Sequence, residues 1–243
     1  MSPQRTPDGP PPPPAVQKLR IQYASRGRLR YSSTRDFGRA LERALRRSGV
    51  PMAYSAGFHP HPKISYANGA ATGAASEAEY FEISLTERVD PDALATALDA
   101  ALPDGLDIVS VVEAQPGALA DRLQASRWLL EFPGVELADL EQAVAGFLAQ
   151  ERVEVSRMFK KGVKSYDARE PVIRAETGLS DEGCAILTMV VRHTTPAVRP
   201  DDVLSAITAA TSFAPLRSPK ATRLAQGIWS SETESVADPL AAD

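Results

Sequence analysis

Cysteine is almost missing from this 243-residue chain, where Cys184 stands alone. One thiol excludes an internal disulfide framework, an all-cysteine zinc site and a cysteine-ligated iron–sulfur cluster within these residues. Histidine is nearly as scarce, with only His59, His61 and His193. No apolar run approaches the roughly 18 residues of a membrane span. The N-terminus opens on prolines rather than on a charged-then-apolar leader. The expectation is a cytoplasmic protein with no membrane partner. A nucleophile elbow, a phosphate-binding lysine loop and a dinucleotide fingerprint are also absent. No enzyme class follows from motifs, and no cofactor is expected in this chain.

What the sequence does have is charge, unevenly placed. The formal net charge is −4 and the pI about 5.5, values that argue against an anionic partner. Yet residues 1–75 carry 12 Lys+Arg against 3 Asp+Glu, and the remainder carries 15 against 28. Segregation of this kind builds a local positive field that the average conceals. It suits an anionic partner, or a solvated basic helix that pairs with the acidic half of the same molecule.

The chain is bounded by two expected disordered tails, a proline-rich one over 1–15 and an acidic one over 230–243. Between them, strands alternate with helices. Residues 18–24 alternate Leu19, Ile21 and Tyr23 with polar neighbours, the period of a half-buried strand. Residues 33–48 form the clearest helix. Ser33 and Asp36 resemble a capping box, Phe37, Ala40, Leu41, Ala44 and Leu45 make one stripe, and Gly49 stops it. A strand over 79–86, a helix capped by Asp90 and a strand over 106–112 complete the first half. The second half reads as strands at 128–132, 153–158, 184–191 and 222–228, with helices after 137 and over 200–210. The fold class expected is α+β, two tandem ferredoxin-like (βαββαβ) sandwiches over 16–118 and 119–229, joined through residues 116–123.

Three groups of residues could carry function. Arg35, Arg39, Arg43 and Arg46 or Arg47 recur every three or four positions, opposite the apolar stripe, and follow Arg26, Arg28 and Arg30. Arginine's planar fork matches phosphate oxygens, which makes such a row suited to nucleic-acid backbones. The second group is YSAGFHPHPKISY, residues 54–66. As a recognition loop, its aromatics, Phe58 among them, would stack bases while His59, His61 and Lys63 meet phosphates. As acid–base machinery, a histidine near neutrality could serve phosphate chemistry, with His61, Lys63 and Asp36 as the catalytic candidates. As a metal site it is poor, since two imidazoles need a further ligand and only His193 and Cys184 are available among the soft ones, although carboxylates could complete it. As plain structure, the imidazoles would hydrogen-bond backbone at a proline-rich turn. The third group places Lys160, Lys161 and Lys164 with Arg157, Arg169 and Arg174 around Met158, Phe159 and Tyr166, a single-strand-binding mixture or a solvated hairpin rim. His193 reads as a strand-end residue and Cys184 as a buried inert thiol.

Residues 27–67, GRLRYSSTRDFGRALERALRRSGVPMAYSAGFHPHPKISYA, and 75–85, ASEAEYFEISL, resemble the radical-SAM-associated (radical-SAM-linked) protein family. That family is of unestablished activity. Its members occur free-standing, as in actinobacteria, or fused behind a radical S-adenosylmethionine domain. The resemblance covers about Lys18 to Ile228 and implies a shared α+β fold and a link to RNA metabolism or modification. His61, Lys63, Asp36, Arg39 and Glu79 match the family pattern. Where members commonly carry Ser-His-x-Asp before the helix, this chain has Ser33, Thr34, Arg35 and Asp36, so that histidine is missing. The function expected is an accessory protein that binds tRNA or rRNA and acts with a radical enzyme supplied in trans. Two alternatives stand beside it: a metal-independent RNA-processing enzyme using His61 and Lys63, and a protein-interaction module with a basic docking face.

Overall fold

The computed structural model describes residues 12–241. Residues 1–11 of the expected proline-rich tail lie outside the described residues, and 12–15 carry no regular structure. The architecture is mixed α+β, with five α-helices among the described residues, and the chain divides into two units.

Unit 1 comprises the described residues up to Thr72 together with Ala78–Ala120. Its elements are β1 (Gln17–Ser25), a 3-10 turn (Gly27–Tyr31), α1 (Thr34–Arg47), β2 (Ile64–Ala67), β3 (Ala75–Leu85), α2 (Pro91–Asp99) and β4 (Leu106–Glu113). The strands run in the order β4-β1-β3, with β2 beside β3. Strand β1 is antiparallel to β4, with Leu19 opposite Glu113, and β2 is antiparallel to β3, with Ile64 opposite Ile83. Alternation along β1 and β3 sends Leu19, Ile21, Tyr23, Phe81, Ile83 and Leu85 into one core with Phe37, Leu41 and Leu45 of α1 and Leu94 and Leu98 of α2. Tyr23 stacks on Phe37 with centroids 4.2 Å apart, a pairing that fixes how α1 lies on the sheet. Arg20 on β1 is buried, and its Nε donates to Glu82 at 3.0 Å and a terminal nitrogen to the Gly117 carbonyl at 2.6 Å. Glu82 also pairs with Lys18 at 2.7 Å, so it is the buried Arg20 that would be left without a counter-charge if Glu82 were lost.

Unit 2 comprises Gly73–Glu77 and Asp121–Ala241. After the short α3 (Leu119–Arg122), its elements are β5 (Ala125–Phe132), α4 (Leu137–Leu148), β6 (Glu154–Phe159), β7 (Gly162–Asp167), β8 (Val172–Leu179), β9 (Ala185–Arg192), α5 (Pro200–Thr211), β10 (Lys220–Ser230) and β11 (Ser235–Ala237). The strands run β10-β5-β9-β8, each antiparallel to its neighbour. Ala75 and Ser76, which the sequence assigns to the first domain, pair in parallel with Thr222 and Arg223 and belong to unit 2. Strands β6 and β7 form a separate two-stranded hairpin. Helices α4 and α5 pack closely where Gly146 faces Thr211; a Cβ at Gly146 would sit 2.6 Å from Thr211 Cγ2.

Two expectations need correction. Strands β2, β7 and β8 are absent from the sequence reading: β2 is only four residues long, and β7 and β8 interleave charged and polar residues with no clean apolar alternation. The acidic tail expected to be disordered over 230–243 is, through its described residues to 241, held to the fold. Ser235–Ala237 pairs with β10, Leu240 is buried, and Arg122 donates to the carbonyls of Pro239 and Ala241 at 3.1 and 2.8 Å. Composition describes side chains, whereas these bonds are made by backbone carbonyls.

Candidate nucleic-acid interface

Helix α1 forms for reasons visible in its own residues. Ser33 Oγ accepts from the Asp36 backbone N–H at 3.2 Å, and the Asp36 carboxylate accepts from Ser33 Oγ at 2.6 Å and from the Ser33 N–H at 3.4 Å. This is a closed capping box. Those bonds, followed by the charges of Arg39 and Arg35, hold the Asp36 carboxyl below its ordinary range. Gly49 terminates the helix at φ +63°, a conformation that favours glycine. Phe37, Leu41, Ala44 and Leu45 are buried, so the opposite face is left to Arg35, Arg39, Arg43 and Arg46. All four are exposed, and none has a hydrogen-bond or ion-pair partner among the described residues. Steps of four, four and three residues space them about 6, 6 and 4.5 Å apart along the axis. Glu42 lies within the row, half-buried. Burial first, and the Glu42 charge second, push the Tyr66 hydroxyl above its ordinary pKa.

The remaining arginines divide. Arg47 donates to the Ala101 carbonyl and so braces the end of α1. Arg26 is bound to Asp107 at 2.6 Å. Arg30 lies over the ring of Tyr31, 5.0 Å from its centroid, and donates to its hydroxyl at 3.0 Å. Arg28 is exposed and has no such partner among the described residues. Tyr31, 60% exposed beside this turn, is an aromatic the sequence reading overlooked; its place after the alternating GRLR string was the available signal.

The histidine–proline loop is built as a tight projection. At its base, the N–H of Ala53 donates to the Ser84 carbonyl at 2.8 Å, that of Ser84 to Lys63 at 3.1 Å, and that of Lys63 to Ala53 at 2.8 Å. One step further out, the Ser55 N–H donates to the His61 carbonyl at 2.9 Å, and the His61 N–H donates to Ser55 Oγ at 3.0 Å. Beyond this clamp the tip turns through Gly57 at φ +143°, and Pro60 and Pro62 fix the returning arm. Phe58 is 62% exposed at the tip. His59, His61 and Lys63 are exposed, with no side-chain hydrogen-bond or ion-pair partner among the described residues. Backbone groups and the Ser55 hydroxyl, not the imidazoles, make the bonds that hold this loop.

The three catalytic candidates are not joined by hydrogen bonds among the described residues. Asp36 serves the cap instead. Glu79 is buried and accepts from the Ala70 N–H at 3.0 Å, holding the small-residue loop after β2. No group of three or more metal-ligating side chains occurs among the described residues. His193 lies between the Leu123 carbonyl and Ser126 Oγ, each 2.7 Å from a ring nitrogen. Burial holds its pKa below the ordinary value. Cys184 is half-buried.

In unit 2 the basic cluster splits as well. Arg157 is held by Asp202 at 2.5 Å and lies 4.8 and 5.3 Å from the ring centroids of Phe159 and Tyr166. Tyr166 donates to Asp202 at 2.9 Å. Burial, then that bond and the Asp202 charge, push its hydroxyl up to about 12. Arg169 donates to the Leu148 and Val172 carbonyls, and Arg174 pairs with Glu176 and Glu234. Lys160 and Lys161 form the exposed two-residue turn of the hairpin, and Lys164 lies 5.6 Å from the centroid of Phe159. These three lysines are the ones left to meet a ligand. Asp202, the residue that anchors the hairpin, was not legible in the sequence.

The family model described as "Uncharacterized protein conserved in bacteria (DUF2344)" matches residues 18–200. No curated protein matches the chain. Among solved structures, the encapsulated DyP-type peroxidase from Mycobacterium smegmatis is similar at 10% identity over 93% of this chain and 94% of that one. Its TM-score is 0.20, so it carries no argument about fold or activity.

Proposed function

Since this chain belongs to the conserved bacterial family DUF2344, whose description assigns no activity to inherit, we propose from the site itself that it is an accessory RNA-binding protein, taking tRNA or rRNA and acting with a separate radical S-adenosylmethionine enzyme. One observation carries the reading. Unit 1 presents four arginines in a row on one face of α1 and, on a clamped loop, an exposed Phe58 with His59, His61 and Lys63, none of these basic side chains having a hydrogen-bond or ion-pair partner among the described residues. Guanidinium groups meet phosphates, and an aromatic on a stiff loop stacks an unpaired base. The partnership rests on the resemblance of residues 27–67 and 75–85 to radical-SAM-associated proteins. One cysteine cannot hold the three-cysteine cluster such chemistry needs, so radical initiation lies outside these 243 residues.

Each unit also supports a ferredoxin-like reading. Unit 1 follows β-α-β-β-α-β with strand order β4-β1-β3-β2, and unit 2 repeats that order as β10-β5-β9-β8, with the β6–β7 hairpin inserted after its first helix.

Filter binding of the protein to a labelled RNA across a salt series tests the reading. Four arginine–phosphate contacts predict a log–log slope of about −2.8 on single strands. A slope near zero would contradict it. The rival reading, RNA cleavage by His61 with Lys63, has in its favour two side chains two residues apart that have no hydrogen-bond or ion-pair partner among the described residues, but no carboxylate among those residues is bonded to either. Cleavage of cellular RNA lost in His61→Ala and kept in His59→Ala would establish the rival instead. A complex with another protein that survives nuclease treatment and needs the α1 arginines would favour the docking module.

A further inference from the structure

Unit 2 carries a surface that the RNA reading does not use. Two adjoining hollows of about 600 and 530 Å³ share the β5–α4 turn, where Gly134, Val135 and Glu136 line both. The first continues along α4 to the segment after α5 and includes Leu216; the second extends to the β8–β9 turn and includes Leu179. Both leucines are conspicuously outside: Leu179 is 57% exposed and Leu216 wholly so. Phe213, half-buried in the first hollow, packs edge-on against Phe132 with centroids 6.1 Å apart, which gives this hollow an apolar wall.

The charged lining is predominantly acidic. Glu136 and Asp139 line the first hollow, and Glu131, Glu136 and Glu182 the second, against Lys220 alone. None of these four carboxylates has a side-chain hydrogen-bond or ion-pair partner among the described residues. Phosphates and anionic lipid are repelled by such a rim. Exposed apolar anchors ringed by unpartnered, predominantly acidic charge are the pattern of a protein interface with a complementary partner.

We infer that this double hollow docks a segment of another protein in which large apolar side chains alternate with lysine or arginine. The apolar residues fill the space beside Leu216, Leu179 and Phe213, and the basic ones meet Glu136, Asp139 and Glu182. A second copy of this chain is the competing occupant: its arginine face on α1 offers no exposed large apolar side chain, but its β6–β7 hairpin sets exposed Met158 and Val163 beside Lys160, Lys161 and Lys164. The inference does not depend on RNA binding, since it uses other residues in another unit.

The test is fluorescence anisotropy of the full chain with a labelled peptide of about twelve alternating Leu and Lys residues, beside Ser/Lys and Leu/Glu counterparts. The Leu/Lys peptide should bind, and the other two should not. Glu136→Gln/Asp139→Asn/Glu182→Gln should weaken it about tenfold or more, and Leu216→Ser, which breaks only the apolar anchor, by a similar factor. Arg39→Gln/Arg43→Gln should leave it unchanged. Circular dichroism melts verify that the variants fold. No binding of Leu/Lys, equal binding of Ser/Lys, or binding indifferent to the groove variants overturns the inference. So does a dimer in sedimentation velocity that Leu216→Ser dissociates, since the second copy would then be the occupant.

Discussion

Arg39→Gln/Arg43→Gln and Arg47→Gln remove the same chemistry from the same helix, and the structure predicts opposite consequences. Arg39 and Arg43 point to solvent without hydrogen-bond or ion-pair partners among the described residues, whereas Arg47 donates to the Ala101 carbonyl beyond α2. Removing the first pair should therefore change thermal stability by less than about 0.5 kcal/mol. Each lost phosphate contact should reduce the salt slope by about 0.7 on a single-stranded RNA. With four contacts, a fourfold rise in salt weakens the unmodified protein about 50-fold; with two, about 7-fold. Arg47→Gln should instead cost about 0.5–1 kcal/mol of stability for its hydrogen bond and alter the slope far less. Filter binding at several salt concentrations, with a thermal melt of each variant, reads both quantities. If the double variant keeps the full slope, or if Arg47→Gln reduces it equally, the assignment of the α1 face to phosphate binding is wrong.

Three further outcomes follow from packing and protonation. Asp202→Ala removes the partner of Arg157, the acceptor of Tyr166 and the carboxylate that receives the Arg199 N–H; it should cost about 3 kcal/mol. The Tyr166 hydroxyl, now at about 12, should then titrate closer to 10 in an ultraviolet absorbance titration, and an unchanged value would refute the anchor. His193 is held below its ordinary pKa by burial. Above about pH 6.5 both folded and unfolded chains keep it neutral. As pH falls from there the unfolded chain takes up the proton first, so stability should drop until the folded pKa is passed, and His193→Gln should flatten that part of a pH series of urea melts. Gly146→Ala gains helix propensity but places a methyl group 2.6 Å from Thr211 Cγ2. A net loss of about 1 kcal/mol is expected, recovered in Gly146→Ala/Thr211→Ser, where the opposing methyl is gone; a strictly additive double-mutant cycle would contradict that contact.

How far the site was readable from residue order depends on where each side chain finds its partner. Helix α1 was legible because everything that makes it is local: the Ser33–Asp36 box, the apolar stripe and Gly49 all lie within seventeen residues. Strand β9 was legible from its largely apolar run, broken only by Thr188, most of which is buried. Strands β2 and β11 were not, since each is stabilised by pairing with a neighbour whose own pattern does not name it. The same distinction governs the charges. Arg43 and Arg47 are indistinguishable in sequence, both exposed by the helical period, yet a carbonyl 54 positions away takes one of them out of the row. Arg157 and Lys161 likewise looked like one cluster until Asp202, 45 positions on from Arg157, claimed the arginine. Amphipathic period tells which side chains leave the core. Which of those then remain free to bind a ligand is set by tertiary contacts, and that selection reduces a broad basic region to a row of four arginines and a clamped loop.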